Sequence, residues 1–107
     1  MAWAYLIIAG IFEVVWAIGL KYAQGFTRWF PSLVTIAGMI FSFYFLSLAL
    51  KALPIGTAYA VWTGIGALGT AVMGIFLFDE PHDWIRLFFL FLILTGIVGL
   101  KVTSAGS

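Results

Sequence analysis

The sequence predicts an all-α membrane protein with four transmembrane helices, and three observations carry that prediction. Of the 107 residues 64% are hydrophobic and only 8% charged, with a mean hydropathy of +1.19, where a soluble domain runs at about half apolar and a quarter charged. Charged residues and prolines divide the chain into four apolar stretches, each close to the ~20 residues that cross a ~30 Å hydrocarbon core. The connections between them are short enough to force neighbouring helices antiparallel. Residues 1–107 therefore read as one four-helix domain, with no internal repeat and nothing left for a soluble domain.

The first span, residues 2–20, contains IAGIFEVVWAIGL. It lacks the positive n-region and A-x-A site of a signal peptide, so it is read as a retained helix. KYAQGFTRWF follows, and Pro31 suits the start of the second span, residues 31–50. After KALP, Pro54 introduces the third span, residues 55–78, which holds Gly64, Gly66, Gly69 and Gly74. DEPHD leads to the fourth, residues 84–102. Trp3, Trp29 and Trp84 lie at span ends and are expected in the interfacial aromatic belt. Lys21, Lys51 and Lys101 are expected to snorkel from similar positions.

Several function classes are excluded. Without cysteine there are no disulfides, thiolates or Cys-type zinc sites, and one histidine, His82, cannot build a metal cage or a conventional triad. Asp79, Glu80, Pro81, His82 and Asp83 read as a solvated loop, so no metal, cofactor or enzymatic reaction is expected. A net charge of +1, with five Lys and Arg scattered singly, offers no nucleic-acid surface.

The same scattering bears on topology. One membrane side receives Lys51 and Lys101, the other Lys21, Arg28 and Arg86. Two against three is almost no bias under the positive-inside rule, which leaves insertion in both orientations open beside a single fixed one.

Glu13 is the sole acid within the spans. A charge at a helix centre costs about 2.5–3.5 kcal/mol on insertion scales, and such residues face a bundle interior or a water-filled cavity. One use would be as interhelical glue. The alternative follows from the absence of Lys, Arg or His from the interior of any span, Arg86 and Lys101 lying at the two ends of the fourth: an ionised Glu13 needs a cation from outside the chain. Helical spacing puts Gly10, Glu13, Trp16 and Ala17 on one face, Thr35, Gly38 and Ser42 on another, and Tyr59, Trp62, Gly66 and Gly69 on a third. Gly10 and Ala17 would leave room beside the carboxylate. Aromatic rings attract cations, and Ser42 and Tyr59 are candidates to hydrogen-bond and orient Glu13. Trp16, Tyr59 and Trp62 also suit ordinary core packing or lipid anchoring.

Glycines in the third span serve close helix packing or bending. In the fourth, Thr95, Gly99 and Thr103 recur at four-residue spacing with Gly96 alongside, a small-residue face suited to a dimer interface or to packing within one subunit.

The chain resembles the small multidrug resistance family along essentially its whole length. The residues carrying the likeness are Glu13, GFTR with PS in residues 25–32, and PIGTAYAVWTGIG in residues 54–66. EVVWAIGLKY, residues 13–22, places tryptophan at Trp16 and is similar to the guanidinium-exporter branch, where the drug-exporting branch has glycine. The loop FDEPHDWIR departs from the family pattern without touching a binding position. The resemblance implies an antiparallel, dual-topology homodimer in the bacterial inner membrane that exchanges protons for a guanidinium-type cation by alternating access. It implies Glu13 as the shared proton and substrate site, Trp16, Ser42, Tyr59 and Trp62 around it, Gly64 and Gly66 as a hinge, and the fourth helix, with Thr95, Gly96 and Gly99, as dimer interface.

Guanidinium keeps its proton at physiological pH and its planar fork matches a carboxylate bidentately. Export of quaternary ammonium or other lipophilic cations is the alternative within the same fold, resting on cation–π and apolar contact. A structural subunit or passive pore is the alternative of a different class.

Overall fold

The computed structural model describes residues 1–103, so the last four residues of the expected domain lie outside the description. Four helices are present: α1 Ala2–Ala23, α2 Trp29–Ala49, α3 Ile55–Phe78 and α4 Trp84–Thr103. All four are long and apolar enough to cross a membrane. At 1.5 Å per residue α1 is about 33 Å long, matching the hydrocarbon thickness.

Two boundaries differ by more than one residue from those expected. α1 runs on through Lys21, Tyr22 and Ala23 and stops only where Gln24, Gly25 and Phe26 enter left-handed backbone, with φ of 48°, 73° and 65°. Tertiary contact supports the added turn. The Lys21 ammonium lies 4.8 Å from the Phe78 ring centre, and the Tyr22 and Phe78 rings are 5.2 Å apart. α2 begins at Trp29, so Pro31 falls inside the first turn, where its missing N–H costs no helical bond. Pro54 is the N-cap of α3, and Pro81 lies between helices.

α1 is the centre of the subunit, packed on both α2 and α3, while the α4 backbone lies close to that of α3 alone among the described helices. Chain direction alternates. Lys21 meets the C-terminal end of α3 at one membrane face, and Lys101 lies 5.1 Å from the Trp3 ring at the other. The subunit is a slab of 44 × 35 × 17 Å, less than two helix diameters thick. Its core joins Leu6 and Ala9 of α1, Ala49 and Leu53 near the end of α2, and Ala58, Val61 and Trp62 of α3.

Trp3 also belongs to that core, which corrects its expected place in the aromatic belt. It repeats at helical spacing with the buried Leu6, Ala9 and Gly10, so its face, and not its nearness to the helix end, decides its surroundings. Trp29 and Trp84 are strongly exposed at helix starts, as an interfacial belt requires. In the loop before α4, Asp83 Oδ1 accepts the Arg86 N–H at 2.9 Å and caps the helix, while Arg86 Nε donates to the Pro81 carbonyl.

Candidate functional site

The extended α1 moves its midpoint to between Phe12 and Glu13. Glu13 is thus at mid-depth, closer to the centre than the shorter span implied. Around it, the three faces expected to carry small and polar residues turn inward together. Thr35, Gly38 and Ser42 of α2 are buried, as are Gly10 of α1 and Trp62 and Gly66 of α3.

The Glu13 carboxyl lies directly against Gly66: a Cβ built on that glycine would overlap the carboxyl group, with Glu13 Cγ only 2.7 Å away. Glu13 Oε1 is buried and accepts no hydrogen bond. Trp16, one turn further along α1, rests on Gly38, where an added Cβ would come within 3.1 Å of Trp16 Cβ. Its indole N–H is likewise buried without a partner. An unpaired acceptor and an unpaired donor therefore sit one helical turn apart, both costly in an apolar setting.

Ser42 behaves differently from its expected part. Fully buried, its hydroxyl donates to the Ala9 carbonyl at 2.8 Å and accepts the Trp62 indole N–H at 2.9 Å. With its one proton used on the Ala9 carbonyl, it makes no hydrogen bond to Glu13 here. The chain Trp62–Ser42–Ala9 instead ties three helices together. It ends on the carbonyl that, by α-helical geometry, also accepts the amide of Glu13. Trp62 is 6% exposed, and its ring packs against Phe43 and Tyr59 at 5.7 and 5.5 Å between centroids. Tyr59 itself is 58% exposed, on the outer side of Trp62.

Gly10 does not leave open space beside the carboxylate, because Ile65 fills it. Gly64 packs against α4, where an added Cβ would meet Ile97 at 3.1 Å. Both glycines of the expected hinge are therefore close-packing positions in a continuous α3. Thr95, Gly96 and Gly99 lie apart from the Glu13 cluster on a helix with no buried residue. Among the described residues a Cβ on Gly96 or Gly99 would meet nothing within 4 Å, and the Thr95 hydroxyl turns back to the Phe91 carbonyl.

Sequence reasoning missed Ala9 and Phe43. Ala9 acts through its backbone carbonyl, which leaves no trace in side-chain type. Phe43 follows Ser42 directly and could have been found only by knowing where Trp62 lies.

Comparison with known proteins adds an independent finding. The family model described as Small Multidrug Resistance protein matches residues 1–93. Proteins named Guanidinium exporter are similar along nearly the whole chain. The one from Citrobacter freundii is 59% identical over 104 residues, covering 97% of this chain and 99% of its own. That from Yersinia pseudotuberculosis is 57% identical, covering 97% and 100%. The Proteus vulgaris protein is 56% identical with the same coverage.

Proposed function

The chain belongs to the Small Multidrug Resistance family, and from that premise we propose that it exports guanidinium and small guanidinyl cations in exchange for protons. Family and four spanning helices together make it a multi-pass protein of the bacterial inner membrane. Its relatives are exporters, so its role is transport and not enzymatic catalysis.

The observation that carries the reading is Glu13, a single acid at mid-depth, while the basic residues of the spanning helices, Lys21, Arg86 and Lys101, all lie near helix ends and away from it. Guanidinium cannot shed its charge, so it crosses only where a carboxylate replaces its water. Glu13 accepts it through paired, charge-assisted bonds. A proton competes for the same oxygens, so cation binding releases protons and protonation releases the cation. If only loaded states change facing, an inward proton gradient drives the cation outward. Trp16 supplies aromatic surface one turn from the carboxylate, Tyr59 backs Trp62 from its outer side, and Ser42 and Trp62 hold the turn of α1 that carries Glu13.

The working unit is an antiparallel homodimer of subunits inserted in both orientations. Three features support it. The two-to-three charge count scarcely favours either orientation. α4 has no fully buried residue within its own subunit and leaves Gly96 and Gly99 open to a neighbour among the described residues. Because Glu13 sits at the middle of α1, inversion places both carboxylates near the same plane. Gly64 and Gly66 allow α3 to bend as access alternates.

The test is guanidinium transport in proteoliposomes under a proton gradient. The protein should concentrate guanidinium against its gradient while moving protons the other way. Glu13→Gln should remain folded and do neither. Full uptake by Glu13→Gln, or faster transport of tetraalkylammonium than of guanidinium by the unmodified protein, would overturn the reading.

A further inference from the structure

The close approach of α1 to α3 at Glu13 carries a consequence for the exchange itself. The carboxyl group rests on the bare backbone face of Gly66, its Oε1 is buried, and no donor reaches that oxygen. This is a poor place for an ionised oxygen, which needs donors, and a tolerable one for a neutral acid. It is also a poor place for a ligated cation, because a fork of N–H groups needs both carboxylate oxygens and Oε1 is covered by α3. We infer that Gly66 is a positioning residue that provides the berth for the protonated Glu13 side chain, and that cation binding requires the carboxylate to swing off Gly66. The inference rests on the exchange reading above. It gives Gly66 an equilibrium role separate from bending.

No other strongly ionising side chain complicates the site. α2 and α3, the helices packed on α1, carry only tyrosines among titratable residues within their spans, Tyr44 and Tyr59. On α1 itself Lys21 is two turns away, over Phe78. α4 carries Arg86 and Lys101 near its ends; its backbone lies beside α3, and Lys101 reaches α1 at the Trp3 ring, ten residues before Glu13.

The experiment measures guanidinium binding by tryptophan fluorescence across pH in micelles, and records the pH at which half the bound cation is displaced. In Gly66→Ala the new Cβ fills the berth, so the protonated form loses its place and the carboxylate stays extended. The midpoint should fall by about one pH unit, equivalent to tenfold in cation competition or ~1.4 kcal/mol. Gly64→Ala, whose Cβ would meet Ile97 and not Glu13, should leave the midpoint where it is. A residue serving only as a hinge would slow transport without moving this midpoint. An unchanged midpoint in a Gly66→Ala protein that still binds guanidinium therefore overturns the inference and leaves the exchange reading intact. Absence of guanidinium binding by the unmodified protein at any pH overturns both. Should Gly66→Ala not fold, the unmodified protein decides the matter by NMR. The Gly66 α-proton resonances should titrate together with cation displacement, those of Gly64 should not, and a pH-insensitive Gly66 refutes the berth.

Discussion

Ser42→Ala removes one hydroxyl that joins three helices, and the two hydrogen bonds it breaks are not equivalent. The Ala9 carbonyl loses a partner at 2.8 Å but keeps its helical bond from the Glu13 amide, so it is not stranded. The Trp62 indole N–H, donating at 2.9 Å from a side chain only 6% exposed, is left without an acceptor. A stranded buried donor costs about 1–3 kcal/mol in soluble proteins. Interhelical hydrogen bonds inside membranes average about 0.6 kcal/mol and reach about 1.7 at most. The membrane figures govern here, so Ser42→Ala should destabilise the fold by about 1–2 kcal/mol. A double-mutant cycle separates this from the lost volume. Trp62→Phe deletes the donor, and in that background Ser42→Ala should cost about 1 kcal/mol less. Equilibrium unfolding in mixed micelles, followed by far-ultraviolet circular dichroism, measures all four corners without relying on Trp62 fluorescence. If the two single costs add to within ~0.3 kcal/mol, the Trp62–Ser42 bond contributes nothing and the bracing role assigned to it is wrong.

Gly99→Leu places a large side chain on an α4 face that meets nothing in its own subunit, so helix content should be unchanged while dimer affinity falls by roughly tenfold, about 1.4 kcal/mol. Equal cross-linking yields across dilution for variant and parent would refute it. One or two added lysines near the C-terminus should turn mixed insertion into one orientation, read by accessibility of a C-terminal tag from each membrane face. Tags reached from a single face in the unmodified protein would exclude dual insertion. Trp16→Gly should enlarge the site and weaken guanidinium more than tetraalkylammonium. The starting preference is set by charge-assisted bonds of about 1.5–3 kcal/mol that a quaternary ion cannot make. A preference unmoved by Trp16→Gly, measured as competing uptake rates, would remove Trp16 from selectivity.

The four helices were legible because each needs only a sum over ~20 residues, and such a sum tolerates local error. Their ends were less so. Lys21 and Tyr22 lie past the end of the apolar run in the sequence, yet the helix continues through them because both pack on Phe78, far away in the chain. Trp3 was misplaced for a related reason: depth was inferred from distance to the helix end, while its period with Leu6, Ala9 and Gly10 pointed inward. The cluster at Glu13 was legible as three inward faces, but not in its bonding. Ser42 has a choice of acceptors, and one of them was a backbone carbonyl that any residue would provide.

α4 shows where the exposure of apolar surface stops being informative. In water, a helix with no buried residue and a surface of Phe, Leu and Ile would be evidence of a missing partner. Lipid tails are as apolar as these side chains, so the same surface is satisfied in a bilayer and demands nothing. Gly96 and Gly99 are different. In lipid they expose backbone without adding apolar contact, and the helix gains there only if another backbone comes close enough to use the space. No described residue of the same subunit does so, whereas Gly64 and Gly66 of α3 are each filled, by Ile97 and by Glu13. The proposed dimer interface on α4 therefore rests on its two open glycines, and its many exposed aromatic and aliphatic side chains add nothing to it.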